Sequence, residues 1–258
     1  MKQMMIIASL LGATAAAPLA AQTAIGLSGD RTLTVIDLGA GSVTASQDVM
    51  VEGRLLGIDY RPNTDTLIGV TEAFEVVNID ATTGMTTPLV TMEMALPIAD
   101  GATVIVDINP AADALRFMSG TVNHRINLGT GAVMVDGSLH FDDGTMGAPM
   151  VGGTAYSNSF GKPDATAMYN IDTMRHALLR QTAPNDGTNA MIGELGAMVE
   201  GPVAFDIATD AMGTNTAWLS ANGGLHTVSL DSGMVTESWM IDGLDVTLRD
   251  MTVMAADM

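Results

Sequence analysis

Four aspartates recur at matching places along the sequence and are the first candidates for chemistry. Asp59, Asp107, Asp206 and Asp250 each lie inside a short apolar segment, and Ala155 holds the same place in a fifth segment. A ring of such carboxylates would suit a hard cation such as Ca²⁺, which takes six to eight oxygen ligands. Carboxylates that lie so close repel and raise each other's pKa. We therefore favour a structural role, in which each aspartate accepts backbone hydrogen bonds from a neighbouring repeat. No cofactor or metal ligand is assigned, and Ca²⁺ is kept as the alternative.

Three arginines form the second candidate group, because the chain has only ten basic residues. Arg61 follows one of the apolar segments, and Arg116 and Arg125 lie on adjoining strands of one repeat. A guanidinium can bind a carboxylate or phosphate through two parallel hydrogen bonds. The alternative, which we favour, is that these arginines form salt bridges with the abundant aspartates.

Asparagines complete the candidate ligand-binding set. Asn158 and the segment Asn185-Asp186 interrupt the repeat, and Asn109 follows Asp107 by two residues. Residues that break a repeat are better candidates for a site than residues that repeat. Turns stabilised by asparagine or aspartate side chains explain these positions equally well.

Sequence motifs for nucleophilic or metallohydrolase catalysis are missing. None of the four histidines lies in a His-Glu-x-x-His or His-x-x-x-His pattern, and there is no Gly-x-Ser-x-Gly. The chain also has no P-loop. The leading hypothesis is therefore a non-catalytic binding or interaction module. The alternative is a metal-dependent hydrolase or lactonase whose site lies in a central channel.

The elements that must position these residues are clearest in residues 55–92. This stretch reads as four short strands rich in β-branched residues and joined by turns. The fourth strand contains Pro88, which cannot donate a ladder hydrogen bond and so predicts an outer edge. Four antiparallel strands with such an edge are typical of one blade of a β-propeller.

Similar units follow at residues 103–139, 152–182 and 203–241, and no helical periodicity interrupts them. Residues 24–49 supply only three strands, and residues 248–254 supply one innermost strand. The sequence therefore predicts an all-β propeller of five four-stranded blades, closed by pairing the N- and C-terminal strands. A strand pair hidden in residues 185–199 would make six.

Several segments, in order, carry a family resemblance. GIDYRP, VDINPAADALRF, HRINLGTG, AYSNSF, YNID and PNDGT resemble the exported bacterial family known as domain of unknown function 4394, over roughly residues 24–254. The chain departs from that pattern at Gly129-Thr130 and in its methionine-rich strands. The resemblance implies an exported propeller-like domain and brings no activity, substrate or cofactor.

The N-terminal residues and the composition indicate where the protein is located and which classes of partner it can bind. Residues 1–21 have the charge, apolar run and small residues of a secretory signal peptide, so we expect cleavage after Ala21 and export to the periplasm or medium. Residues 22–258 then form a single domain without cysteine. A net charge of −19 argues against nucleic acid and anionic membrane as partners. We expect a monomer that binds a small polar ligand or a protein.

Overall fold

The computed structural model describes residues 22–98, 102–144 and 147–254. The predicted signal peptide, residues 1–21, lies outside these residues. The described part of the chain consists of 21 short β-strands joined by turns and loops. No helix long and apolar enough to cross a membrane occurs within it.

The strands alternate buried and exposed side chains at the sheet edges and are largely buried near the centre, as expected where a sheet is covered on both faces. The first eleven strands are β1 Thr23–Ser28, β2 Thr32–Asp37, β3 Ser42–Asp48, β4 Leu55–Arg61, β5 Thr66–Thr71, β6 Glu75–Ile79, β7 Thr86–Thr91, β8 Val104–Asn109, β9 Ala114–Ser119, β10 Val122–Asn127 and β11 Val133–Val135. The remaining ten are β12 His140–Phe141, β13 Val151–Tyr156, β14 Met168–Asp172, β15 Ala177–Ala183, β16 Thr188–Glu194, β17 Ala204–Thr209, β18 Asn215–Ala221, β19 Gly224–Val228, β20 Val235–Trp239 and β21 Asp250–Met254.

The strands form five sheets, antiparallel except where β12 pairs with β16 outside blade 4, and the five-bladed propeller predicted from the sequence is confirmed. From inside to outside, blade 1 is β21-β1-β2-β3, blade 2 is β4 to β7, blade 3 is β8 to β11, blade 4 is β13 to β16 and blade 5 is β17 to β20. Residues 185–199, in which the sequence could have hidden an extra strand pair, supply β16, the fourth strand of blade 4. Pro88 lies in β7, the outermost strand of blade 2, as its missing N–H requires.

The ring closes through blade 1, which combines both ends of the described chain. Strand β21 pairs antiparallel with β1 from Thr23↔Met254 to Leu27↔Asp250.

Arg249, just before β21, also stabilises this closure. Its guanidinium donates hydrogen bonds at 2.5–3.1 Å to four backbone carbonyls of blades 1 and 2, those of Gly29, Asp30, Leu55 and Leu56. Burial lowers the pKa of this guanidinium to about 10. One arginine thus ties the closing strand to two blades.

Hydrophobic clusters fill the interfaces between successive blades. The interface of blades 2 and 3 is apolar, with Ile68, Val106 and Phe117 at its centre. The interface of blades 3 and 4 has the smallest of these inter-blade clusters, with six buried residues. Much of that interface is instead occupied by buried polar side chains, among them Arg116 and Asn123.

The outer part of blade 3 differs from the sequence expectation of one long fourth strand. Strand β11 ends at Val135, and the chain then crosses to blade 4, where β12 pairs parallel with β16. Two contacts explain the early end. Asp136 turns inward to form salt bridges with two arginines, and the N–H of Gly137 donates to the carbonyl of Asn185.

Replacing Arg249 by methionine tests the closing contact. Arg249→Met keeps the apolar stem but removes the guanidinium that donates to four carbonyls, so we expect a loss of about 2–4 kcal/mol in the free energy of unfolding. Denaturant unfolding followed by tryptophan fluorescence would measure it. Arg54→Met removes the same charge from an exposed neighbour and should change stability by less than about 0.5 kcal/mol. Equal effects of the two variants would contradict the role of Arg249.

Candidate functional site

Two groups of polar residues lie inside the propeller, and the first is the set of four inner-strand aspartates, called here the aspartate ring. Asp59, Asp107, Asp206 and Asp250 lie on β4, β8, β17 and β21, and each is at most 8 % exposed. The inner strand of every blade contacts the inner strands of its two neighbours. In β13 the corresponding residue is Ala155, paired with Tyr169 as Asp107 is with Arg116.

Each aspartate of the ring accepts a hydrogen bond from the inner strand of the next blade. This is the structural role that the repeated positions favoured, and it follows from the need of every buried N–H for an acceptor. Gly57 leaves room for one such carboxylate, because a Cβ there would lie 2.7 Å from Oδ2 of Asp250. The four bonds are Ile58 N–H to Asp250 (2.8 Å), Ile108 N–H to Asp59 (2.6 Å), Tyr156 N–H to Asp107 (3.2 Å) and Val253 N–H to Asp206 (2.5 Å).

The ring is electrostatically costly. Burial, reinforced by the charge of Asp206, raises the pKa of Asp59 well above its ordinary value. Burial and the charges of the other three members do the same for Asp107. Burial raises the pKa of Asp206 to about 6 and that of Asp250 to about 8, against the opposing effect of backbone hydrogen bonds. Near neutral pH the ring therefore retains protons that ordinary carboxyl groups would lose.

Three members of the ring also meet a geometric requirement for a cation. One carboxylate oxygen from each of Asp59, Asp107 and Asp206 lies within 4.8 Å of the others. However, both oxygens of Asp59 and both of Asp206 already accept N–H groups. Ca²⁺ would need at least three further oxygens. The donor chemistry suits a hard cation, and the hydrogen bonding suits a structural link between blades.

The second group crosses blade 3 in a single row. Asp107, Arg116 and Arg125 lie directly opposite one another on β8, β9 and β10, so their side chains share the face that packs on blade 4. At the two positions of the arginines, the other blades carry Leu27 and Leu33 in blade 1, Ile68 and Asn78 in blade 2, Tyr169 and Arg180 in blade 4, and Trp218 and Thr227 in blade 5. Two adjacent arginines are thus particular to blade 3.

Arg116 is buried and firmly held. Its Nε donates to the hydroxyl of Tyr156 at 3.1 Å, and its Nη1 donates to Asn123 at 2.8 Å and to Asp136 at 2.7 Å. Nη2 makes a long contact of 3.4 Å with the side-chain oxygen of Asn185. The guanidinium therefore has a fixed orientation before any ligand arrives.

Arg125 shares Asp136 with Arg116 but keeps free donors. Its Nε and Nη2 bind the two oxygens of Asp136 at 2.7 and 2.9 Å, which raises the pKa of Arg125. Nη1 of Arg125 donates to no residue that the structure describes, and 31 % of the side chain is exposed. Two guanidinium groups thus share one carboxylate and leave an excess positive charge.

These arginines face an open cavity of about 520 Å³ between blades 3 and 4, called here the blade 3–4 pocket. Burial raises the pKa of the Tyr156 phenol on its wall, so that this group remains a hydroxyl at neutral pH. The pocket is lined by Asn109, Ala112, Ala114, Arg116, Arg125, Tyr156, Ala183, Pro184, Asn185 and Asp186.

Five of the candidate residues from the sequence line this pocket, and the others lie elsewhere. Arg61 forms a two-bond salt bridge with Asp113 that links the end of β4 in blade 2 to the turn between β8 and β9 in blade 3. Asn158 exchanges hydrogen bonds with Asn215 of blade 5. The aspartates of the ring lie on the inner strands. Arg116, Arg125 and Arg61 all have aspartate partners, which is the alternative that the sequence favoured.

Sequence reasoning missed Tyr156, Asp136 and Asn123. Asp136 lies in what reads as the middle of a strand, and Tyr156 contacts Arg116 across 40 residues of sequence. The only local signal was an acidic residue within an otherwise apolar strand. Asn123 also donates to the carbonyl of Pro184, which fixes the loop that carries Asn185 and Asp186.

The aspartate ring predicts an unusual pH dependence of stability. A carboxyl group whose pKa is higher in the folded state than in the unfolded state stabilises the fold at low pH, and this contribution disappears as pH rises through the folded-state value. We therefore expect the melting temperature to fall as pH rises from about 5 to about 8.5, across the values of Asp206 and Asp250.

Asp250→Asn replaces the carboxyl group by an uncharged amide. In this variant we expect the melting temperature to fall less steeply with pH in the upper part of that pH range. Asp245→Asn changes the same formal charge on the exposed surface and controls for the repulsion of a chain of net charge −19. Melting curves at constant ionic strength would compare the three proteins. A slope for Asp250→Asn that equals the slope for the unsubstituted protein would refute the assignment.

Comparison with a solved structure supports the same fold. The luciferin-regenerating enzyme superposes with a TM-score of 0.52 at 12% identity, covering 91% of this chain and 76% of that one. A protein of unknown function from Bacteroides caccae gives 0.44 at 12% identity, with 85% and 73% covered. An auxiliary nutrient binding protein from Bacteroides ovatus gives 0.46 at 14% identity, with 76% of this chain and only 56% of that one covered. At 12% identity the likeness to the luciferin-regenerating enzyme is one of fold alone.

No curated protein sequence matches the chain. A family model does match residues 32–252, which include blades 2 to 5, part of blade 1, the aspartate ring and the blade 3–4 pocket. The resemblance carried by the repeated strand and turn motifs is thereby confirmed, and the chain belongs to the family described as Domain of unknown function (DUF4394).

Proposed function

We propose that this protein is an exported, non-catalytic binding module that holds a small carboxylate- or phosphate-bearing ligand in the blade 3–4 pocket. The observation that carries the proposal is the pair Arg116 and Arg125, which share Asp136 and leave Nη1 of Arg125 open to the pocket. A guanidinium with free N–H groups at a pocket wall is suited to planar anions.

Charge supports this choice of ligand. The chain carries 29 acidic and 10 basic residues, so an unneutralised guanidinium is a scarce feature on a surface that otherwise repels anions. Asp186 on the exposed rim partly offsets it, and solvent screens that rim charge more than the buried contacts. The pocket should therefore favour one compact anionic group over an extended polyanion.

The side chains of the blade 3–4 pocket are held in place without a ligand, and this supports a binding role for the pocket. Arg116 is fixed by Tyr156, Asn123 and Asp136, and the loop 183–187 is tied to blade 3 through Asn123. A ligand that meets side chains already in place loses less conformational entropy on binding. The proteins of similar fold include both a nutrient binding protein and an enzyme, so the choice of binding rests on the pocket itself.

Arg125→Gln tests the proposal without disturbing the core. We expect the variant to bind succinate or inorganic phosphate at least tenfold more weakly than the unsubstituted protein, because a charged hydrogen-bond donor is lost. Isothermal titration calorimetry at low ionic strength would measure the dissociation constants. Arg180→Gln is the matched control, since Arg180 holds the equivalent position in blade 4 and lies outside the pocket.

A substitution at the rim of the pocket should strengthen anion binding, which is the opposite of the effect expected for Arg125→Gln. Asp186→Asn removes a negative charge from the pocket and should tighten anion binding by roughly twofold to fivefold at low salt. If neither probe binds the unsubstituted protein, or if Arg125→Gln and Arg180→Gln bind equally well, the proposal fails.

A metal-dependent hydrolase or lactonase is the second candidate, favoured by the close oxygens of Asp59, Asp107 and Asp206. In this function the three carboxylates would hold Ca²⁺, which would supply Lewis-acid polarisation of an ester carbonyl. Calcium titration with melting at about pH 8 tests it, because ionised carboxylates bind cations best. The metal site would be supported by a rise in melting temperature that saturates with added calcium, is abolished in Asp107→Asn and is reversed by EDTA. An unchanged melt would remove this candidate.

A further inference from the structure

A second cavity, of about 630 Å³, lies on blade 5 beside the start of blade 1 and is called here the tryptophan cleft. Both tryptophans of the chain, Trp218 and Trp239, line it. Aromatic residues make up only 4% of the sequence, so the placement of both in one cleft concentrates a scarce residue type. Trp218 holds the position that Ile68 holds in blade 2 and Arg116 in blade 3.

The two indole rings form an aromatic wall. Their centroids are 5.7 Å apart with an angle of 39° between the planes. Trp218 is buried and also packs against blade 1, whereas Trp239 is partly exposed. Indole rings of this kind offer flat apolar area at low conformational cost.

The polar residues of the cleft are rich in hydrogen-bond acceptors. Glu237 lies in the same cross-strand row as Trp218 and Thr227, so it shares their face of the blade. Asp210 and Asp231 are on the loops at the same end of the blade. Among the described residues that line the cleft, none is lysine or arginine. The cleft therefore repels anions and accepts hydrogen bonds.

The lining of the cleft also includes groups that can donate hydrogen bonds. Gln22 carries an amide and Thr216 a hydroxyl, and both residues are partly exposed. A ligand for this cleft should therefore present an acceptor as well as donors.

We propose that the tryptophan cleft binds a neutral saccharide. The C–H face of a sugar packs on indole, and its hydroxyl protons can be donated to Glu237 and Asp210. Its oxygens can accept hydrogen bonds from Gln22 and Thr216. An organic cation would satisfy the carboxylates and the rings but would offer no acceptor. An anion would meet three carboxylates and no base. Only a polyhydroxylated, uncharged ligand matches all three features.

Intrinsic fluorescence tests the proposal directly, because both tryptophans lie in the cleft. Titration of the full chain with cellotriose and with maltotriose should give a saturable change in emission with at least one of them. Trp239→Ala should weaken that binding at least tenfold, while Arg125→Gln, in the blade 3–4 pocket, should leave it unchanged.

Glu237→Gln provides a variant that keeps the core intact. We expect it to weaken saccharide binding roughly fivefold to tenfold through loss of a charged acceptor. Glu194→Gln, the same change on the outer strand of blade 4, should have no effect. The proposal is overturned if neither trisaccharide produces a saturable change. It is also overturned if tetramethylammonium alone does, or if the two glutamate variants behave alike.

Discussion

Backbone N–H groups donated across a blade boundary to a buried carboxylate are the interaction on which this propeller depends. Neighbouring inner strands are not paired as in a sheet, so their facing amides need another acceptor. Asp59, Asp107, Asp206 and Asp250 supply it at four of the five boundaries. The cost is a cluster of acids with raised pKa values, which the fold tolerates because protonation relieves the repulsion.

With the inner strands fixed in this way, the next positions outward can vary without loss of the ring. Ile68, Arg116 and Trp218 occupy the same place in blades 2, 3 and 5, and each sets the character of one blade surface. An isoleucine there belongs to an apolar interface, an arginine opens a cationic pocket, and a tryptophan lines an aromatic cleft. A repeated scaffold thus carries different chemistry at equivalent sites, which is how function is commonly distributed on a fold.

The features that sequence could predict are those set by local chemistry. Alternating side chains, turn residues and Pro88 located the strands, and repetition then gave the blade number and the closure by both ends. The early end of β11 could not be predicted, because Asp136 leaves the strand for arginines on β9 and β10. Only part of the lining of the blade 3–4 pocket could be predicted from the sequence. The sequence predicts that Arg116 and Arg125 lie on adjoining strands, whereas Tyr156 is brought to them only when blade 4 packs on blade 3.

Closure through β21 also imposes an order on the assembly of the protein. Ile58 and its acceptor Asp250 are 192 residues apart, so the inner edge of blade 1 cannot be completed before β21 has been synthesised. Until then β1 has an unpaired edge of six residues that other chains could join. Contacts of such long range slow folding, because a large loop must close before they form. We therefore expect the pairing of β21 with β1 to be a late step of folding, and this pairing covers the inner edge of β1 that is otherwise open to other chains.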